Sequence, residues 1–108
     1  MPTLKAIKDT LEQYTGLPVA YHHYEDAHAF PYIVYEETDH TNVFADGQVY
    51  VEMVSVQLDL YTKTKSPRLE RKVKDALSAL DLAWTSRETN VQEENCTAVS
   101  FFFDTITD

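Results

Sequence analysis

The chain is nearly devoid of glycine, with only Gly16 and Gly47 among its 108 residues. A phosphate-cradling loop needs several glycines so that backbone N–H groups can approach an anion, and none can form here. Cysteine is limited to Cys96. It cannot form an intrachain disulfide, fits a reducing compartment, and has no glycine-rich or basic neighbours to activate its thiol. No apolar run approaches ~18 residues, which removes a transmembrane helix. The opening MPTLKAIKDTLEQY is amphipathic and lacks the apolar stretch of a signal peptide. Positive charge is also scarce: nine Lys and Arg against eighteen Asp and Glu, a net −9. That balance disfavours wrapping around DNA or lying on an anionic membrane.

What is present is an ordered, core-forming composition. Hydrophobic residues make up 44% of the chain, with seven Tyr and five Phe. That suffices for one modest core, and residues 1–108 are read as a single domain.

Leu4, Ile7, Leu11 and Tyr14 fall on one helical stripe, predicting a helix over about Thr3–Tyr14 with Thr3 as N-cap. Gly16 and Pro18 end it. Residues 17–30 have no clean period and read as an irregular or short extended connection. PYIVYEE (Pro31–Glu37) is rich in β-branched and aromatic residues and reads as a strand. Asp46-Gly47 is a two-residue hairpin signal, because a type I′ turn needs positive φ at both central positions. Val43–Ala45 and Gln48–Tyr50 flank it. From Val54 the alternation is strict: Val54, Val56, Leu58 and Leu60 share one face. Upstream the phase reverses, with Val49, Val51 and Met53 apolar. Either a bulge lies near Met53, or the strand buries its other face there. At about 3.4 Å per residue, Gln48–Tyr61 spans ~45 Å. That is long for a small domain and predicts a hairpin arm over about residues 38–53, projecting beyond the body.

Ser66-Pro67 supplies an N-cap and a proline at the first helical position. Leu69, Val73, Ala76, Leu77 and Leu80 give the second helical stripe. Leu82–Glu88 reads as a short strand, VQEEN as a turn, and Thr97–Thr105 as the last strand. The fold class is therefore α+β: an antiparallel sheet with two helices packed on it and a projecting β-hairpin arm.

Three clusters carry possible chemistry. HHYEDAH brings His22, His23, Glu25, Asp26 and His28 together, but adjacent histidines on an extended chain point opposite ways and the spacing fits no usual zinc pattern. Polar loop is the plainer reading. Glu36, Glu37, Asp39 and His40 are paired carboxylates beside an imidazole, with nothing to signal burial; a solvated turn accounts for them. No nucleophile elbow is present. The chain is accordingly read as non-enzymatic, with no cofactor and no metal.

The third cluster is a basic corner. Residues 63–74 hold six of the nine basic residues (Lys63, Lys65, Arg68, Arg71, Lys72 and Lys74) against Glu70 alone, a net +5. Removing that +5 from the total of −9 leaves −14 on the rest of the chain. The corner reads as a phosphate contact with Tyr61 stacking, as an inter-subunit surface facing an acidic neighbour, or as a solvated helix start.

Several segments occur in a recognisable order: GLPVAY (16–21), PYIVY (31–35), an acidic turn with N-x-F-A-D (42–46), QLDLYTKTK (57–65), S-P-x-L-E (66–70), and a last strand ending in an aromatic run. This order, over about residues 15–106, resembles tail terminator proteins of long-tailed phages and prophages of Gram-positive bacteria. These are also called tail completion or head–tail joining proteins. None of the motifs is catalytic. The resemblance implies a compact α+β subunit of a hexameric ring, at the head–tail junction of a virion assembled in the host cytoplasm. Its partners would be other copies of itself, the tail tube protein and the head connector or neck protein. DNA would pass through the lumen without specific binding, and no membrane would be involved. On this reading the arm (Phe44, Asp46, Val49 and Tyr50) and the corner (Lys63, Lys65, Arg68 and Arg71) make subunit or tail-tube contacts. The alternative is a small nucleic-acid- or protein-binding module that uses the corner 63–74.

Overall fold

The computed structural model describes residues 3–21, 30–45, 48–91 and 96–106; the side chains of residues 41–45, 48–51 and 89–91 lie outside that description. The elements run α1 (Leu4–Thr15), β1 (Val19–Tyr21), β2 (Tyr32–Ala45), β3 (Gln48–Thr62), α2 (Pro67–Ala79), β4 (Thr85–Val91) and β5 (Cys96–Ile106). They build an α+β fold, a five-stranded sheet in the order β1-β2-β3-β5-β4 with two helices packed on it.

The helix boundaries follow local chemistry. Thr3 caps α1 by accepting from the Ala6 N–H at 3.3 Å, and Gly16 closes it at φ 70°, donating to the Glu12 carbonyl. The Thr15 hydroxyl donates to the Leu11 carbonyl at 2.7 Å and accepts from the Leu17 N–H at 3.2 Å, so the chain leaves the helix with its polar groups satisfied. Ser66 caps α2, accepting from the Leu69 N–H at 3.4 Å, with Pro67 opening the helix.

Ile7 and Leu11 from α1, and Leu69, Val73, Ala76 and Leu77 from α2, pack on one face of the sheet. That face is Ile33, Val54, Val56, Leu58, Leu60, Val99, Phe101 and Phe103, each at most 5% exposed. At ~25 cal/mol per Å2, such burial is the main force holding the layers together.

Three features differ from the sequence expectation. The sheet is mixed, because β1 pairs in parallel with β2 through Val19↔Ile33, Ala20↔Val34 and Tyr21↔Tyr35. A three-residue strand is too short to show a period. Second, Glu36–His40 is not a turn, because β2 runs through it with a bulge: Glu37 pairs with Val56 and Asp39 with Ser55, leaving Thr38 unpaired. The Thr38 hydroxyl donates to the Ser55 carbonyl at 3.2 Å. Third, Leu82 to Trp84 precede β4 as a loop. Leu82 is apolar because it packs into the core from that loop, not from a strand.

The phase change near Met53 is not a bulge at that residue, and Met53 lies on the face opposite Val54. The β3–β5 register is unbroken from Met53↔Ile106 to Thr62↔Thr97. The second shift lies between Val43↔Val51 and Phe44↔Val49, which leaves Tyr50 unpaired. Before Met53, β3 has β2 as its only neighbour among the described strands. The pair continues as a two-stranded ribbon to Ala45↔Gln48. The molecule measures 51 × 26 × 22 Å, and β3 alone, at about 3.4 Å per residue, accounts for the long axis. The proposed type I′ turn at Asp46-Gly47 and the turn at Gln92–Asn95 lie outside the described residues; Val91 ends β4.

Candidate functional site

Strand β3 joins the two charged regions of the chain. Its first residues form the ribbon, and its last residue, Thr62, leads into the basic corner. The acidic cluster lies nearer its middle, where Glu36, Glu37 and Asp39 pair with Gln57, Val56 and Ser55.

The corner is held by a lysine. Lys65 Nζ contacts the Glu70 carboxylate at 3.1 and 3.2 Å and also bonds Glu88 on β4. Hydrogen bonds to Glu88 and then to Glu70 raise the Lys65 pKa above its ordinary value, so it stays charged. Lys65 thus ties the β3–α2 turn to the first turn of α2 and to β4. Lys74 lies over the Trp84 ring at 5.9 Å, and the Trp84 indole N–H donates to Ser78. Lys63, Arg68 and Arg71 are exposed and make no ion pair among the described residues. A groove beside them is lined by Phe30, Pro31, Thr62, Lys63, Thr64, Ser66 and Leu69. Phe30 also begins a row of stacked rings with Tyr32 and Tyr61, with centroids 5.4 and 5.1 Å apart.

At the ribbon's root the two bulges assemble a cluster that sequence reading missed. Because Thr38 is unpaired, Glu37 and His40 face the same side of the sheet as Val56 and Val54. His40 Nε2 lies 2.9 Å from Glu37 Oε2, and His40 Nδ1 lies 2.8 Å from Glu52 Oε1 across the hairpin. The His40 backbone N–H donates to Asp39 Oδ1 at 2.9 Å. The hydrogen bond to Glu52, aided by the charge of Glu37, raises the imidazole pKa above 6.5 despite some desolvation. Glu52 was not part of the acidic cluster read from the sequence, and only the register places it there.

The side chains of Phe44, Val49 and Tyr50, and all of Asp46, lie outside the described residues, as does the cluster His22, His23, Glu25, Asp26 and His28. Among the described residues no group of three His, Cys, Asp or Glu is placed to hold a metal. Cys96 is a buried free thiol.

The face of the sheet away from the helices is polar and internally bonded. Ser100 donates to Asp59 Oδ1 at 2.6 Å and Gln57 to the same oxygen at 3.1 Å. Ser55 donates to Asp104 at 2.7 Å, and Arg87 lies over the Phe102 ring at 5.9 Å. This arrangement orders a surface and presents no nucleophile beside a base.

No protein-family model matches this chain, and no curated protein matches it. A solved structure shares its fold: a chain in the virion of a native gene transfer agent (GTA) particle. The two superpose with a TM-score of 0.64 over 96% of this chain and 93% of that one, at 12% sequence identity. At that identity the likeness is one of fold.

Proposed function

We propose that this protein is a structural subunit of a phage-like particle: a tail terminator, or head–tail joining protein, that assembles as a ring. The ring caps the tail tube and meets the head connector, and the DNA passes through its lumen. The observation that carries this reading is the fold likeness to a virion chain, which spans nearly the whole of both chains. The ordered motifs of the sequence point the same way. A ring of identical small subunits needs two different complementary surfaces on each copy. A corner of +5 on a remainder of −14 can supply two such surfaces. A net charge of −9 also suits a lumen that DNA must traverse without sticking. The role is non-enzymatic and needs no cofactor.

The test is tail-tube assembly with and without the protein, viewed by negative-stain electron microscopy. Addition of the protein should yield tubes of limited length with density at one end. Tubes that grow to the same length distribution, with bare ends, in the presence of excess protein would falsify the assignment.

A further inference from the structure

The groove at the β3–α2 corner has a volume of about 200 Å3, and its lining divides in two. Phe30 and Pro31, at the entry to β2, and Leu69, on α2, form an apolar wall. Thr62, Lys63, Thr64 and Ser66 form a wall of donors. Thr62 is the side chain that the fold does not account for. It closes β3 at 6% exposure, on the face that Leu58 and Leu60 give to the helices. Its hydroxyl makes no hydrogen bond among the described residues, and it lines the groove. Buried hydroxyls are nearly always bonded, because leaving one without an acceptor costs free energy. Ser66 accepts from the Leu69 N–H and keeps its own O–H to donate. Lys63 is exposed and has no ion pair among the described residues.

We infer that this groove receives a carboxylate from another protein, carried on a segment with an apolar side chain beside it. Each polar side chain described in the lining can donate, and none is acidic. Glu70, the corner's one acidic residue, is held by Lys65, which leaves Lys63 to meet an incoming charge. The groove also lies at the N-terminal end of α2, where the helix dipole favours an anion. An ammonium and hydroxyls around one carboxylate make short, charge-assisted hydrogen bonds. The apolar wall decides between a protein carboxylate and a nucleic-acid phosphate. Phe30, Pro31 and Leu69 offer contact to an aliphatic side chain, which a sugar–phosphate backbone does not carry. The remainder of −14 also repels a polyanion, whereas a single carboxylate adds little to that repulsion. The groove is a property of the single chain and does not depend on the ring.

Fluorescence anisotropy of dye-labelled probes titrated with the full chain tests it. The probes are the peptide Ala-Leu-Asp-Leu-Ala with both termini blocked, the same peptide with Asn in place of Asp, and a short oligothymidylate. The aspartate peptide should bind saturably, and the asparagine peptide about tenfold more weakly. Thr62→Val and Lys63→Gln should each weaken the aspartate peptide by about fivefold or more. Thr62→Val should leave the urea midpoint no lower than wild type, since it removes a hydroxyl without a partner. A hydroxyl that served only the fold would cost stability on removal and leave binding unchanged. No saturable binding of the aspartate peptide, equal binding of the asparagine peptide, or tighter binding of the oligonucleotide would each overturn the site. So would a Thr62→Val chain that binds like wild type or unfolds at lower urea.

Discussion

At the residue scale, His40 is the side chain whose environment predicts a solution property. Its pKa is raised in the folded protein, chiefly by the hydrogen bond to Glu52. A group with a raised folded pKa binds its proton more tightly when folded, so it adds stability at low pH. That contribution is fully present below the unfolded value near 6.5 and disappears as pH rises through the higher folded value. Glu37 and Glu52 lie on opposite strands, so what is gained is closure of the ribbon's root. Amide exchange, corrected for its intrinsic pH dependence, should therefore show the β2–β3 pairs beside His40 better protected at pH 5.5 than at pH 8. His40→Gln should remove the difference. Equal protection at both pH values in the wild type would refute the clamp. None of this was legible in the sequence. Counting back from an Asp46-Gly47 turn without bulges puts His40 opposite Met53, on the other face from Glu52. The unpaired Tyr50 moves His40 opposite Val54 and brings Glu52 to its side. A bulge is decided between strands, and one strand's pattern does not announce it. Lys65 is a similar case, since its partner Glu88 is twenty-three residues away on β4.

At the scale of the element, what sequence reveals is what is local. Both helices could be read with their caps, because a 3.6-residue stripe, a capping hydroxyl and a stop signal all lie within one segment. Gly16 gives a clean test. It sits at φ 70°, and a Cβ there would meet nothing within 4 Å. Gly16→Ala thus carries only the backbone cost of a left-handed alanine, about 1 kcal/mol, measured as a lower urea midpoint with an unchanged slope. Gly16→Asn should lose less. A substitution with no effect would show that the left-handed cap is not what ends α1. Two strands depend on tertiary context that one segment's pattern does not show. β1 is three residues long and exists by pairing with β2, and β4 begins after a loop whose Leu82 belongs to the core. The apolar alternation of Val54–Leu60 was legible because both helices cover that face, so each alternate position is buried.

At the scale of the molecule, the relevant quantity is the separation of charge. The total of −9 conceals a corner of +5 on a remainder of −14. Association of subunits through those oppositely charged surfaces should fall steeply as salt rises from about 0.05 M to 0.5 M, where the Debye length contracts to roughly 4 Å. Sedimentation or light scattering across that range measures it. Association that strengthens with salt would point to an apolar contact in place of this one. Sequence composition alone showed that the charges were unequal. The corner's place just past β3 follows from the pairing of that strand, which ends at Tyr61 on the β2 side and at Thr62 on the β5 side.

That unbroken strand also has a mechanical meaning. A pull applied between the ribbon and Thr62 enters and leaves the subunit along the β3 axis. The backbone hydrogen bonds to β2 and β5 run across that axis, so such a load shears them. In shear, the pairs from Met53 to Thr62 on the β5 side must give way together, not one after another. In this geometry the ribbon is one end of a tie rod, and the core packed against Val54, Val56, Leu58 and Leu60 is its anchorage.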